Sequence, residues 1–229
     1  MSTSSTERRS RKLGWRSVLV MILVVVLLSS LIRALWIETY AIPSGSMEPL
    51  FLPGDRVAVS RTDYTFGALH RGDVLVFDGR GSFDPLNSGR GATLDALAGL
   101  GQFLGVVGSD TVYVKRVIGL PGDHVVCCTA AGKLSVNGAP LDEPYLYPGD
   151  APSETHFDVV VPAGRLWVMG DHRSVSVDSR SLLGAPGGGF VARDRVIGRP
   201  IQIVWPLGRF TGVGRIQLGT DPGASAGQL

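Results

Sequence analysis

The chain has 229 residues, 44% of them hydrophobic, which is enough apolar material for one sizeable domain or two small ones. Its formal net charge is only +2, and its cationic side chains are dispersed outside the N-terminus. Nucleic-acid-binding proteins usually concentrate positive charge on one face, so the composition argues against a nucleic-acid partner.

The N-terminal segment joins a basic tail to a long apolar run. Residues 1–14 carry arginine and lysine side chains against a single acid, and residues 18–32 contain no charge. A membrane-spanning helix needs about 20 apolar residues, so we predict one transmembrane helix over residues 15–37. Because basic segments stay on the inner side of a membrane, we expect a cell-membrane protein with residues 1–14 as a cytoplasmic tail and an extracytoplasmic main domain.

A cleaved secretory signal is the alternative interpretation of this segment, because such signals also combine a basic start with a short apolar core. A small-x-small cleavage site would have to follow that core. Arg33, Leu35 and Trp36 occupy its place. The sequence therefore favours an uncleaved anchor in the lipid bilayer.

Short runs of alternating apolar and polar residues follow the anchor and indicate β-strands. Gly-Asp turns separate many of them, and Asn137-Gly138 is a dipeptide typical of a two-residue hairpin turn. This pattern predicts a mainly β fold, an antiparallel β-barrel or sandwich behind one transmembrane helix, in a domain over residues 38–210. The predicted strands lie at residues 57–59, 73–77, 111–114, 117–118, 125–126, 134–136, 159–161, 166–169 and 201–205.

Three segments depart from the strand pattern. Residues 79–110 form a glycine-rich insertion, in which residues 92–104 fit either a short helix or a flexible loop. Residues 184–189 and 211–229 are rich in glycine and other small residues. We predict that both are mobile, the second as a flexible C-terminal tail.

The two cysteines, Cys127 and Cys128, are neighbours in the sequence. This is not a metal-ligand spacing or an ordinary loop-closing pair. A vicinal disulfide and a pairing with another molecule are both open, but two small apolar residues in a strand are favoured.

Residues 43–50 place two serines around a glycine directly after the anchor. Gly45 permits backbone angles closed to other residues, and the flanking prolines stiffen the segment. Such a loop can present Ser44 or Ser46 in a fixed pose. An ordinary turn would have the same composition.

A lysine lies inside an apolar strand in the middle of the chain. Lys115 and Arg116 are adjacent, so alternation directs them to opposite faces and one cation must face inward or into a cleft. A lysine in apolar surroundings has a lowered pKa and can act as a neutral base. A third block, residues 170–180, ends a strand and is dense in hydrogen-bonding side chains.

In this order, and behind an N-terminal anchor, these blocks resemble the type I signal peptidases, membrane-anchored serine proteases that remove signal peptides from exported preproteins. The resemblance runs from the anchor to Trp205 and implies Ser46 as the nucleophile and Lys115 as its general base. It implies that Ser44 contributes to an oxyanion hole and that Ser176 holds the lysine amine in line. By the same resemblance the structural bracing pair is Asp178 and Arg180, and the substrate cleft is lined by Tyr40, Ile42, Met47, Phe51, Tyr113 and Val114.

This resemblance implies a Ser/Lys dyad that forms an acyl-enzyme and cuts after an Ala-x-Ala pattern. The implied partners are signal-peptide-bearing preproteins and the bilayer. No cofactor and no metal are expected, because no metal-spaced cluster of ligands is present.

Three alternative functions fit the sequence less well. A Ser-His-Asp hydrolase would use His124 or His172, but Ser46 lacks the Gly-x-Ser-x-Gly frame of such enzymes. A self-cleaving repressor-type protease shares the dyad but not the anchor. A membrane-tethered binding domain would not need both Ser46 and Lys115.

Overall fold

The computed structural model describes residues 14–83 and 111–218, with no side-chain description for residues 26–37 and 65–66. The chain divides after Ile37 into two units. The predicted insertion helix at residues 92–104 lies outside the described residues.

In the described residues, the regular structure of the second unit is mainly short strands. They are β1 Ile37–Ala41, β2 Arg56–Ser60, β3 Val74–Asp78, β4 Val112–Gly119, β5 His124–Cys127, β6 Leu134–Val136, β7 Ala139–Pro140, β8 Phe157–Val160, β9 Arg165–Met169, β10 Val191–Ala192, β11 Val196–Trp205 and β12 Thr211–Gly212. The helices are α1 Trp15–Trp36 and α2 Asp63–Phe66, and 3₁₀ turns occur at Gly45–Met47, Arg193–Arg195 and Leu207–Arg209. Every predicted strand overlaps one of these strands.

The strands form two antiparallel sheets. The larger sheet has eight strands in the order β1-β2-β11-β3-β4-β9-β10, with β12 paired to β11. Strand β4 lies inside this sheet, where Lys115 is opposite Leu75 of β3 and Arg116 is opposite Met169 of β9. The predicted mainly β, antiparallel fold is therefore confirmed.

The smaller sheet has the order β7-β6-β5-β8 and contains the predicted hairpin. Asn137 and Gly138 connect β6 to β7 with φ angles of 55° and 81°. Both angles lie in the left-handed region that a two-residue hairpin turn requires and that asparagine and glycine tolerate best.

Three clusters of buried side chains make up the core. One lies between the sheets around Trp167, which contacts Phe157 and Phe190. A second includes Met47 and Phe51 and lies beside the Gly45–Met47 turn, and a third centres on Leu75 and Phe77 of β3. The turn that carries the predicted nucleophile is therefore anchored directly on the core.

The N-terminal segment forms the helix α1, Trp15–Trp36, over nearly the whole range predicted to span a membrane. In the parts of the chain that the structure describes, no helix meets the length and apolarity needed for a membrane crossing.

Two segments predicted to be mobile each have residues in contact with the rest of the domain where the structure describes them. Val213 and Leu218 are 7% and 3% exposed, and the Leu218 N–H donates to the C=O of Arg71 at 3.2 Å. In residues 184–189, the C=O of Gly189 accepts a hydrogen bond from Ser179 Oγ at 2.8 Å. Val213 and Leu218 therefore contribute buried side chains to the domain, while the boundary at residue 210 and the mobile tail stay predictions.

The structure corrects the preferred interpretation of the cysteines. Cys127 and Cys128 are joined by a disulfide, so neither is a free thiol. Cys127 ends β5 with 5% exposure and packs in the core cluster around Trp167. Its burial agrees with the prediction even though its oxidation state does not.

Replacing Leu218 with alanine tests the packed C-terminal segment. Removal of these buried methyl groups should lower the free energy of unfolding by about 2–5 kcal/mol, as for other buried leucines. Leu207→Ala is the matched control, because Leu207 is 72% exposed and its loss should change stability by less than about 0.5 kcal/mol. Urea unfolding measures both, and equal small effects would show that residues 213–218 do not contribute to the core.

Candidate active site

Ser46 lies on the 3₁₀ turn Gly45–Met47, which follows β1. The residue is 8% exposed, and the next side chain, Met47, is 1% exposed. The C=O of Met47 accepts the N–H of Phe51 at 3.0 Å, and Phe51 is fully buried. The core on one side of the turn therefore fixes the position of the Ser46 hydroxyl on the other.

Lys115 reaches the same hydroxyl from the middle of β4. Its Nζ donates to Ser46 Oγ at 2.6 Å, across 69 positions of sequence. Lys115 is 4% exposed. At this distance a neutral amine could equally accept the proton of the hydroxyl, which is the geometry that a general base needs.

Arg116, the next residue, is buried just as deeply at 1% exposure, but its charge is fully matched. Its Nε and Nη2 donate to Asp171 at 2.7 and 2.5 Å, and its Nη1 donates to the C=O of Gly72 at 2.7 Å. Its guanidinium carbon lies 4.0 Å from the ring centre of Tyr145. Alternation predicted one inward cation in this strand, whereas both Lys115 and Arg116 are buried, because Arg116 has its own partners.

Among the described residues Lys115 has no such carboxylate contact, and its pKa is shifted. Burial lowers the pKa of Lys115 from 10.5 to about 8, because the charged amine has lost its hydration. The more distant carboxylates of Asp178 and Asp171 act to raise the pKa, and the Arg180 guanidinium acts to lower it. With this pKa, about one tenth of the Lys115 amines are neutral at pH 7.

The loop of residues 170–180, which follows β9, closes over the nucleophile turn. A β-carbon at Gly170 would lie 2.5 Å from the backbone oxygen of Ser46 and 2.3 Å from Ser176 Oγ, so only glycine fits there. The Asp178 carboxylate accepts the Gly170 N–H at 3.0 Å and two Arg180 hydrogen bonds of 2.8 Å. Burial acts to raise the pKa of Asp178, but the hydrogen bonds and charge of Arg180, together with the Gly170 hydrogen bond and the nearby Ser176 hydroxyl, lower the pKa overall.

The two other serines of the predicted site lie beside the Ser46–Lys115 pair. Ser44 Oγ donates to Ser46 Oγ at a long 3.4 Å. Ser176 Oγ is buried and has no full hydrogen bond among the described residues, although it lies close enough to Asp178 to help lower the pKa of that carboxyl. The predicted contact between Ser176 and the Lys115 amine stays a prediction.

The residues predicted to line the substrate cleft separate into two groups. Tyr113 and Val114 are successive residues of β4, so their side chains point to opposite faces of the sheet. Tyr113 forms the first group and stacks on Phe77, with 5.9 Å between ring centres. Phe51 has no exposed surface, and its assignment to the substrate cleft stays a prediction. The other group packs in the core cluster beside the nucleophile turn and comprises Tyr40, Ile42, Met47, Phe51 and Val114.

Neither histidine of the alternative triad contacts Ser46 Oγ through its ring in the described part of the chain. His124 Nε2 pairs with Asp158 at 2.5 Å on the surface. The His172 ring stacks on Tyr147, with 3.7 Å between ring centres. Residues 14–83 and 111–218 also contain no group of three or more His, Cys, Asp or Glu residues that could hold a metal ion.

A buried charged cluster beneath the loop was not predicted from the sequence. Arg173 pairs with Glu143 and donates to the C=O of Gly170 at 2.8 Å and of Pro152 at 2.5 Å. Tyr145 OH donates to Glu143 at 2.7 Å. Glu143 and Arg173 are 30 positions apart, so no local sequence pattern connects them.

The comparisons with known proteins agree with these motifs. The family model described as "Signal peptidase, peptidase S26" matches residues 15–205. This range includes α1, the nucleophile turn, β4 and the loop of residues 170–180. The chain therefore belongs to the signal peptidase, peptidase S26 family, and the resemblance found from its motifs is confirmed.

Relatives from several bacteria extend this similarity over most of the chain. The chain is 34% identical to "Probable signal peptidase I" of Mycobacterium leprae (strain TN), over 92% of this chain and 83% of the relative. It is 35% identical to "Signal peptidase I" of Mycobacterium tuberculosis (strain ATCC 25618 / H37Rv), over 89% of this chain and 76% of the relative. It is 30% identical to "Signal peptidase I T" of Bacillus subtilis (strain 168), over 89% and 93%.

The Arg116–Asp171 pair makes a testable contribution to stability. Asp171→Asn would leave the Arg116 guanidinium buried without its counter-charge, so we expect a loss of about 3–5 kcal/mol in the free energy of unfolding. Asp142→Asn breaks an exposed pair with Lys133, in which the side chains are 87% and 47% exposed, and should cost less than about 1 kcal/mol. Denaturant titration compares the two, and similar small losses would contradict a dependence of the site on this pair.

Proposed function

We propose that this peptidase is an endopeptidase that cleaves signal peptides from exported preproteins with Ser46 as nucleophile and Lys115 as general base. The observation that carries the proposal is the 2.6 Å contact between Lys115 Nζ and Ser46 Oγ inside a buried site. The lowered pKa of Lys115 supports it, because only the neutral amine can take a proton.

The proposed reaction has two stages. Lys115 Nζ accepts the Ser46 hydroxyl proton as Oγ attacks the scissile carbonyl carbon, and the carbonyl oxygen becomes an oxyanion. Nζ then gives that proton to the leaving amine as the C–N bond breaks, which leaves an acyl-enzyme on Ser46. In the second stage the same amine takes a proton from water, which attacks the ester carbonyl carbon. The C–Oγ bond then breaks, Nζ returns the proton to Ser46 Oγ, and the signal peptide leaves with a new carboxyl end.

The neighbouring groups have supporting roles in this proposal. The Ser44 hydroxyl and the backbone N–H of Ser46 would donate to the oxyanion, and such preplaced donors are a large term in acyl transfer. Ser176, buried near Asp178, would align the lysine amine. The Asp178–Arg180 pair would brace the loop that holds Ser176.

The proposed substrates carry small residues at the first and third positions before the cut, as in Ala-x-Ala. Ile42 and Met47 pack in the core cluster beside the turn that carries Ser46 and are 4% and 1% exposed. Little space remains there for a large side chain, and overpacking typically costs about 1–3 kcal/mol.

Attachment to a membrane, with the peptidase domain outside and the N-terminus in the cytoplasm, is part of the same proposal. The described apolar side chains of α1 at residues 18–25 are between 36% and 60% exposed. A contiguous exposed apolar surface of this kind needs an apolar partner. The basic residues of segment 1–14 support the proposed orientation.

Paired substitutions test the Ser/Lys assignment. Ser46→Ala and Lys115→Arg should each abolish cleavage, because guanidinium keeps the charge and approximate length of lysine but does not deprotonate, with a pKa above about 12. The double variant should be no worse than either single variant, since the two residues act as one unit. Mass spectrometry of a purified Ala-x-Ala precursor, incubated with the detergent-solubilised enzyme, measures the cut.

His124→Ala provides the matched control and should cleave at the native rate, because its ring pairs with Asp158 on the surface. A precursor with Phe directly before the bond should stay uncut. Near-native cleavage by Lys115→Arg would contradict the dyad, and efficient cleavage after Phe would contradict the proposed specificity.

The pH dependence follows from the pKa of Lys115. The neutral amine is the active form, so kcat/KM should rise with pH and reach half its plateau near pH 8. Steady-state rates on a precursor without titratable groups around the cut site measure this. A midpoint near pH 6, or activity that falls from pH 7 to 9, would indicate a different base.

A further inference from the structure

Glu48 and His172 connect the nucleophile turn to the loop that follows β9. Glu48 lies two residues after Ser46, and its Oε2 is 3.7 Å from Nδ1 of His172. The two side chains are only 23% and 15% exposed. His172 Nδ1 is buried and has no hydrogen-bond partner among the described residues, so the nearby carboxylate is the group that faces it.

His172 also holds the backbone of the predicted nucleophile. Its N–H donates to the C=O of Ser46 at 3.2 Å. Its ring lies flat on Tyr147, with 10° between the planes, and the N–H of Tyr147 donates to the C=O of Asp171 at 3.1 Å. The ring of His172 is therefore fixed on one face by Tyr147, and Glu48 stands at its edge.

Two carboxylates interact with the His172 ring. Besides Glu48, Asp150 interacts with His172 electrostatically, and it accepts the N–H of Ser174 at 3.1 Å. Burial acts to raise the pKa of Asp150, but the Ser174 hydrogen bonds and the charge of His172 lower it. In the loop itself, Asp171 pairs with Arg116, and Arg173 pairs with Glu143.

Glu48 also covers the glycine of the turn. A β-carbon at Gly45 would lie 2.7 Å from Glu48 Oε1, so the carboxylate folds back over the residue before Ser46. Ser46 is thus held from three directions: by Lys115 at its hydroxyl, by His172 at its carbonyl, and by Glu48 across the turn.

We propose that Glu48 and His172 form a positioning pair for Ser46. This inference rests on the proposed function, in which Ser46 is the nucleophile. Neither side chain reaches the reacting atoms; the pair keeps the turn where Ser46 Oγ stays 2.6 Å from Lys115 Nζ. A displacement of about 1 Å at reacting atoms can cost about 10²-fold in rate, so loosening the turn should affect turnover more than substrate binding.

A double-mutant cycle on kcat and KM tests the pair. Glu48→Gln keeps the shape of the side chain and removes its charge, and His172→Asn removes the imidazole. Each should lower kcat about tenfold with KM unchanged, and the double variant should be no slower than the single variants, because both break the same contact. His124→Ala, an exposed histidine with its own carboxylate partner, is the matched control and should leave both constants unchanged.

Thermal unfolding of each variant establishes that it is folded. If His172→Asn does not fold, the kinetics of Glu48→Gln alone test the pair. Losses that multiply in the double variant, a raised KM at constant kcat, or a kcat within twofold of wild type would each overturn the pair. Ser46→Ala in the same assay separates the two proposals. If Ser46→Ala still cleaves, the proposed nucleophile is wrong; if it is inactive while Glu48→Gln is fully active, only the positioning pair is wrong.

Discussion

The site depends on an amine that is buried without a carboxylate in contact with it in the part of the chain that the structure describes. Lys115 and Arg116 are neighbours and equally enclosed, yet Asp171 neutralises only Arg116. The difference separates their tasks: Arg116 keeps its charge and connects strands and loop, while the Lys115 amine loses hydration and faces a hydroxyl. The same strand thus supplies one structural cation and one group whose proton can leave near neutral pH.

Burial of the Lys115 amine lowers the stability of the folded protein near neutral pH. The pKa of Lys115 falls from 10.5 to about 8 on folding, which corresponds to about 3 kcal/mol. Because the folded state binds the proton more weakly than the unfolded chain, the cost is fully present below pH 8 and disappears as pH rises past 10.5. The buried pairs Arg116–Asp171, Arg173–Glu143 and Arg180–Asp178 surround the site and hold its backbone in place.

The sequence predicted the strands because alternation and turn residues are local signals. It singled out Ser46 and Lys115 from local motifs as well, and the structure places their side chains in contact. It could not pair Glu143 with Arg173 or Glu48 with His172, since those contacts depend on how distant loops meet. The residues predicted to line the cleft pack in core clusters where the structure describes them, and their contact with substrate stays a prediction. Glycine-rich composition also suggested mobility in residues 211–218, where Leu218 is in fact buried.

The most direct test of the central claim is the titration of the Lys115 amine itself. The chain has only three lysines, so lysine labelled with ¹³C and ¹⁵N gives three side-chain signals in an NMR spectrum of the detergent-solubilised protein. One of these signals should titrate with a midpoint near pH 8 and vanish in Lys115→Arg. If every lysine signal titrated at about pH 10 or above, as for a solvated amine, the buried neutral base would be contradicted.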